Sequence, residues 1–288
     1  MVCGPKSCAR TKRKTRRELT QGSTEPSIGA IDSRVRNMIS KTIDMNTGDG
    51  VCDAYVHYPD SGGPFPGVLF YMDGAGVRPV LHSMAERIAA NGFYVLLPNM
   101  YYRARRAPVI ETADIFKPEN RSKLMELVGS LSPERVVADA GIFLDFLAAQ
   151  AEVKPGSKVG LTGYCMGGAM VVRTSAAYAD RVGAGASHHG GRLVTQDPDS
   201  PHLLLGKISA ELYFGHADND EYMPRPDIAR FDEALRKSGV TYESEVYTGA
   251  LHGYTMTDFP VYNAAAADKH WRRLLGLFGK ALKQVDAR

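Results

Sequence analysis

A chain of 288 residues with 44% apolar side chains and a net charge of +3 has material for one large domain or two small ones. Its longest apolar runs, such as 68–72 and 94–97, fall far short of the roughly 18 residues a membrane span requires. Seven Lys or Arg residues lie in the first twenty positions against the single acid Glu18, so the remainder is mildly acidic and offers no footprint for nucleic acid.

In chain order, residues 1–30 read as a basic, solvated and disordered tail. They lack the apolar core of a secretory signal and hold too few apolar residues for an amphipathic transit helix. Strand and helix signals then alternate. A strand is expected over 51–58, closed by the turn SGGPFPG, and a buried parallel strand over 68–72 delivers the loop Asp73-Gly74-Ala75-Gly76. A helix over 80–90 ends at Asn91-Gly92, and the next buried strand, 93–97, is stopped by Pro98.

Residues 101–130 are polar and Pro-containing and read as an irregular lid or binding loop. Ser132 followed by Pro133 is a helix-start signal, with Val136, Ala140, Phe143, Leu144 and Leu147 at helical spacing behind it. Further strands are expected over 158–162, 181–186, 210–214 and 242–247. Between and after them come a small-residue helix to 178, a helix over 226–237 and a closing helix from about 263. The order predicts an α/β fold over 31–288: a single domain with a doubly wound, mostly parallel sheet and helices on both faces. The four cysteines, Cys3, Cys8, Cys52 and Cys165, form no CxxC pair and no disulfide framework, so a reducing cytoplasm is the expected setting.

The stretch GYCMGG, 163–168, has the spacing of a nucleophile elbow with cysteine in the nucleophile position. Flanking glycines let a strand and a helix crowd around Cys165, whose place at a helix N-terminus favours a thiolate, and the Met166 amide can face a developing oxyanion. Such a turn also suits a buried thiol with no chemistry. A nucleophile needs a base and an orienting acid, and on this fold they follow in the order nucleophile, acid, histidine, each at the end of a later strand. GHADND places Asp218 three residues after Gly215, and TGALHGY places His252 on the loop after the last strand. His188 and His189 fall at the sheet rim where ligands bind, which makes His189 a candidate pocket residue. A metal-dependent hydrolase built on His216, Asp218, Asp220, His188, His189 and His202 is an alternative, though no HExxH-like spacing supports it. A non-catalytic binding protein that keeps the fold and uses the basic tail for recognition is another.

GYCMGGAM, GHADNDEYMP and GALHGY together resemble the dienelactone hydrolase family of α/β-hydrolases, from about Gly50 to the C-terminal helix. The resemblance implies the α/β-hydrolase fold and a thiol-dependent hydrolase of carboxylic esters or lactones, working through an acyl-enzyme without cofactor or metal. It implies Cys165 as nucleophile, His252 as base and Asp218 as acid. The family has a proline four residues after its acid; Pro224 is four after Asp220 and six after Asp218, so Asp220 stands as the alternative. Asp73 falls where the family carries a glutamate that contacts the nucleophile, and the Gly74 amide where it draws a second oxyanion donor. Arg121 falls at one of two family arginines that hold a substrate carboxylate, while Met256 stands at the other. With half of that clamp absent, the expected partner is a small-molecule ester or lactone, neutral or bulkier and not anionic, with no nucleic acid and no membrane.

Overall fold

The computed structural model describes residues 37–283, so the tail expected over 1–30 lies outside the described residues. Runs of β-branched and aromatic residues without charge form β3 (Gly67–Tyr71), β4 (Tyr94–Pro98) and β5 (Val159–Tyr164), which are buried at every position. That pattern belongs to strands covered on both sides. With β1 (Met38–Thr47), β2 (Gly50–Pro59), β6 (Val182–His188), β7 (Glu211–Asn219) and β8 (Tyr242–Leu251) they form an eight-stranded sheet in the order β1-β2-β4-β3-β5-β6-β7-β8. β1 and β2 are an antiparallel pair, and β2 joins β4 antiparallel; every pairing from β4 to β8 is parallel.

The helices are α1 (Pro79–Ala90), α2 (Pro118–Gly129), α3 (Pro133–Ala148), α4 (Met166–Ala177), α5 (Arg225–Ser238) and α6 (Ala264–Lys283). α1 buries Leu81, Met84, Ala85 and Ile88 at helical spacing, and α3 opens on the expected cap, the Ser132 hydroxyl accepting from the Arg135 amide. A side chain at Gly160 would run into Leu282 and Phe278 of α6, whereas one at Gly185, the partner of Leu161, would meet Val171 of α4. The two helices therefore cover opposite faces of the sheet.

Two elements go beyond the expected set. β1 is an edge strand whose Lys41, Thr42, Asp44 and Asn46 face solvent, which hides its alternation among polar residues. Within 101–130, expected to be irregular, α2 forms from Pro118 and buries only Leu127, so its weak apolar stripe gives little helical signal. β7 also runs past its expected end at 214 to Asn219, which decides the placement of an acidic residue in the site.

Among the described residues no helix is long and apolar enough to cross a membrane.

Candidate active site

β5 ends at Tyr164 and α4 begins at Met166, which leaves Cys165 alone in the turn with φ 55° and ψ −118°. A backbone of that kind costs a residue with a Cβ about 1–3 kcal/mol and persists only where its surroundings impose it. Here they do. A Cβ on Gly167 would lie 2.8 Å from the carbonyl oxygens of Tyr71 and Met72, so only glycine permits the helix to press onto β3. The Cys165 amide donates to the His188 carbonyl (3.2 Å), and its own carbonyl accepts from the Gly168 and Gly191 amides (3.1 Å each). The thiol is thus set, partly exposed, at the start of α4, and the Met166 amide occupies the first helical position, where an N–H has no intrahelical acceptor. Cys52, by contrast, is buried on β2 against the Asp53 and Asn99 carbonyls, and burial pushes its thiol far up.

His252 is the first residue beyond β8. Its Nδ1 lies 2.7 Å from Asp220 Oδ2, and the other Asp220 oxygen accepts from the Tyr222 amide (2.8 Å). Burial opposes a charge on the His252 ring, but the Cys165 sulfur and the Asp220 carboxylate outweigh it and raise the imidazole well above its usual range. A thiol, a nearby imidazole and a buried carboxylate on that imidazole are the groups nucleophilic catalysis requires.

The carboxylate that meets His252 is that of Asp220, the alternative acid, and not that of Asp218. Asp218 does not face His252: its carboxylate takes the Gly249 amide (2.8 Å) and pairs with Arg225, both of which hold it below the usual carboxyl range. The reason is strand length. β7 and β8 pair as far as Asn219–Leu251, with a register shift between Ala217 and Asn219, so Asp218 sits at that irregularity within β7 while Asp220 and His252 leave the ladder side by side. The same divergence disperses the alternative metal set. His216 packs against Phe214 and Phe231, His202 bonds Ser200, and no group of three His, Cys, Asp or Glu side chains among the described residues converges on a point.

Asp73 is engaged by Arg78. Its carboxylate is buried, accepts two bonds from Arg78 (2.7 and 3.0 Å) and takes the Ala75 amide (3.0 Å). Gly74 follows, its carbonyl accepting from the Tyr101 hydroxyl (3.0 Å), which also lies 3.4 Å from Met166 Sδ. Tyr101 therefore touches both residues expected to supply oxyanion donors. Sequence reasoning passed over Arg78, Tyr101 and Asp258; an arginine within GVRPV, entering an apolar helix, was the available signal, since a fully buried arginine needs partners.

Arg121 lies exposed on α2, close enough to act electrostatically on the Tyr222 phenol, whose ring is 4.8 Å from His252. Met256 is wholly buried in the core, so that position presents no cation. His189 stands 5.1 Å from the His252 ring, held at φ 37° with its Nε2 on the Thr255 hydroxyl (2.8 Å).

Behind His189, the His188 and His270 rings meet at 4.2 Å with Tyr164 donating to or accepting from His270 Nε2 at 2.9 Å. Burial holds His188 and His189 well below the usual imidazole range, His57 and His216 at about 4 and His270 at about 3. Below the ordinary pKa of ~6.5 the unfolded chain takes up protons that these folded imidazoles refuse, so stability rises with pH from about 4 to 6.5 and is lost on going down through that window. His252, raised instead, acts with the opposite sign above pH ~6.5. The urea midpoint should therefore be highest near neutrality and fall steadily from pH 6.5 to 4.5. A midpoint flat across that interval would contradict the burial of neutral imidazoles.

The model of the dienelactone hydrolase family matches residues 52–282. A protein of Methylorubrum extorquens provisionally named carboxymethylenebutenolidase is 28% identical over 252 residues, covering 86% of this chain and 83% of its own. A protein of the same provisional name from Synechocystis is 30% identical over 234 residues, covering 80% of this chain and 92% of its own. A crystal structure from Klebsiella pneumoniae, provisionally named dienelactone hydrolase, superposes with a TM-score of 0.74 at 22% identity, covering 85% of this chain and 99% of that one. Sheet order, elbow and strand-end residues together define an α/β-hydrolase. Within that class the chain belongs to the dienelactone hydrolase family, and it is a carboxylic ester hydrolase.

Proposed function

We propose that the chain hydrolyses carboxylic esters or lactones through a Cys165–His252–Asp220 triad and an acyl-enzyme. His252 takes the thiol proton as the Cys165 sulfur attacks the substrate carbonyl carbon, and the oxygen that becomes negative is met by the amides of Met166 and Gly74. As the tetrahedral adduct collapses, the C–O bond to the alcohol breaks and His252 returns its proton to the departing oxygen. A water, deprotonated by the same imidazole, then attacks the thioester, and the C–S bond breaks to release the acid and the thiol. Asp220 holds the Nδ1–H throughout, which keeps Nε2 free for the proton traffic. The observation that carries this reading is the 2.7 Å bond from His252 Nδ1 to a buried carboxylate, beside a cysteine held in a strained turn at a helix N-terminus. Turnover of p-nitrophenyl acetate, with its loss on alkylation by iodoacetamide, tests it; a chain that hydrolyses the ester equally well after alkylation of Cys165 would refute it.

Substrate charge follows from the two family arginine positions. With Met256 buried and Arg121 the one family arginine position still cationic, an anionic substrate lacks half of a carboxylate clamp. One charge-assisted hydrogen bond is worth about 1.5–3 kcal/mol when shielded, hence roughly tenfold or more in kcat/KM. A neutral lactone should be processed with the higher kcat/KM than a carboxylate-bearing lactone of similar size, and Arg121→Ala should depress the anionic activity alone. A strong preference for the anionic lactone that survives Arg121→Ala would place the carboxylate elsewhere.

A further inference from the structure

We propose that Arg78 is a positioning residue that ties the loop bearing the Gly74 amide to the loop bearing His252, holding oxyanion donor and base in register before substrate arrives. This rests on the proposed role of the Gly74 amide. Arg78 is 2% exposed, yet its guanidinium bonds two carboxylates, one on the segment after β3 and one on the segment after β8. Nη1 and Nη2 grip Asp73 at 2.7 and 3.0 Å, and Nε and Nη2 reach Asp258 at 2.6 and 3.3 Å. Nη1 also donates to the Gly76 carbonyl (3.1 Å), so residues 73–76 wrap around the same group that anchors them.

The far arm of the clamp is equally short. Asp258 lies six residues after His252, and the intervening chain is closed by bonds from the Tyr254 amide to Leu251, the Met256 amide to Gly253 and the Phe259 amide to Met256. Phe259 covers the guanidinium face, its ring 4.9 Å from the Arg78 central carbon. Slack in this link would shift Gly74 relative to His252, which Asp220 holds in place.

Stability is a poor reason for such a cluster, because a buried ion network seldom outperforms apolar packing of the same volume, whereas it does fix geometry through directional bonds. Tyr101 supports the same assignment from the other side, its hydroxyl joining the Gly74 carbonyl to Met166 Sδ and so binding the two donor residues together. His252 has an anchor of its own in Asp220, which makes the thiol–imidazole pair separable from the oxyanion donors.

That separation supplies the test. Arg78→Lys and Asp258→Asn are compared with the wild type for hydrolysis of p-nitrophenyl acetate and, on the same preparations, for alkylation of Cys165 by iodoacetamide, with Cys165→Ala as the blank. Alkylation uses the thiol and His252 but no oxyanion donor. A lysine keeps the charge yet cannot span both carboxylates, so kcat should fall on the order of 10²-fold, the cost of about 1 Å of misplacement, with KM and the alkylation rate unchanged. Asp258→Asn, which loosens one arm, should show the same split at smaller size. A folded Arg78→Lys with wild-type kcat would overturn the proposal, and so would hydrolysis and alkylation falling together, since that marks general loosening. If Arg78→Lys does not fold, Asp258→Asn decides alone by the same criteria. Absence of Cys165-dependent turnover in the wild type would instead refute the hydrolase mechanism itself.

Discussion

Cys165→Ala is expected to lose ester turnover to the level of the uncatalysed reaction while folding as the wild type does. Removing the nucleophile of a covalent mechanism costs on the order of 10⁶-fold in kcat, because the remaining members of such a unit cannot act without it. The fold should survive, since the thiol is half-buried and small, and the turn is imposed by Gly167 and by bonds from the backbone, not by the side chain. Cys165→Ser should keep a trace of activity, as a hydroxyl is far harder to deprotonate than a thiol. Matched circular dichroism and urea midpoints for wild type and alanine variant, read beside steady-state rates, check both halves. Undiminished turnover in a folded Cys165→Ala would remove the nucleophile from the account.

The second large effect separates two neighbouring aspartates. Asp220→Asn should reduce kcat by roughly 10⁴-fold, the scale seen when an orienting acid becomes an amide. The Tyr222 amide can still donate to the carbonyl oxygen of the substituted side chain, which turns the new NH₂ group toward His252 Nδ1. Nδ1 must then accept, the ring proton moves to Nε2, and the nitrogen facing the thiol can no longer take a proton. Asp218→Asn should cost little in rate, because its partners are the Gly249 amide and Arg225 at the end of β7. A crippled Asp218→Asn beside an active Asp220→Asn would reverse the assignment.

This pair also shows how far the sequence could be read. The elbow was legible because its chemistry is local: glycines two residues either side of Cys165 are needed for the turn itself. His252 was legible from its place after a strand. The acid was not, since choosing between Asp218 and Asp220 requires the length of β7, and strand ends depend on pairing with a neighbour, here Asn219 with Leu251. The spacing to Pro224 pointed to Asp220, the carboxylate that bonds His252, though GHADND alone pointed to the earlier residue.

The partner of Asp73 was illegible for a related reason. Position along the chain put Asp73 beside the elbow, but its partner, Arg78, is selected by tertiary packing under Phe259 and by an aspartate 180 residues away. β1 and α2 escaped notice because each buries too little to imprint a strong periodicity. The alternating core, by contrast, followed the pattern of fully buried strands almost to the residue at β4 and within two residues at the ends of β5 and β6.

The central claim is a covalent acyl group on Cys165, and trapping it is the most direct test. Wild-type protein mixed with p-nitrophenyl acetate, quenched in acid within the first turnover and digested, should yield the peptide containing Cys165 carrying one acetyl group, accompanied by a burst of p-nitrophenol equal to the enzyme concentration when thioester hydrolysis is the slower step. Cys165→Ala should give neither label nor burst. Steady turnover with the label absent from Cys165, or carried by another residue, would contradict the account.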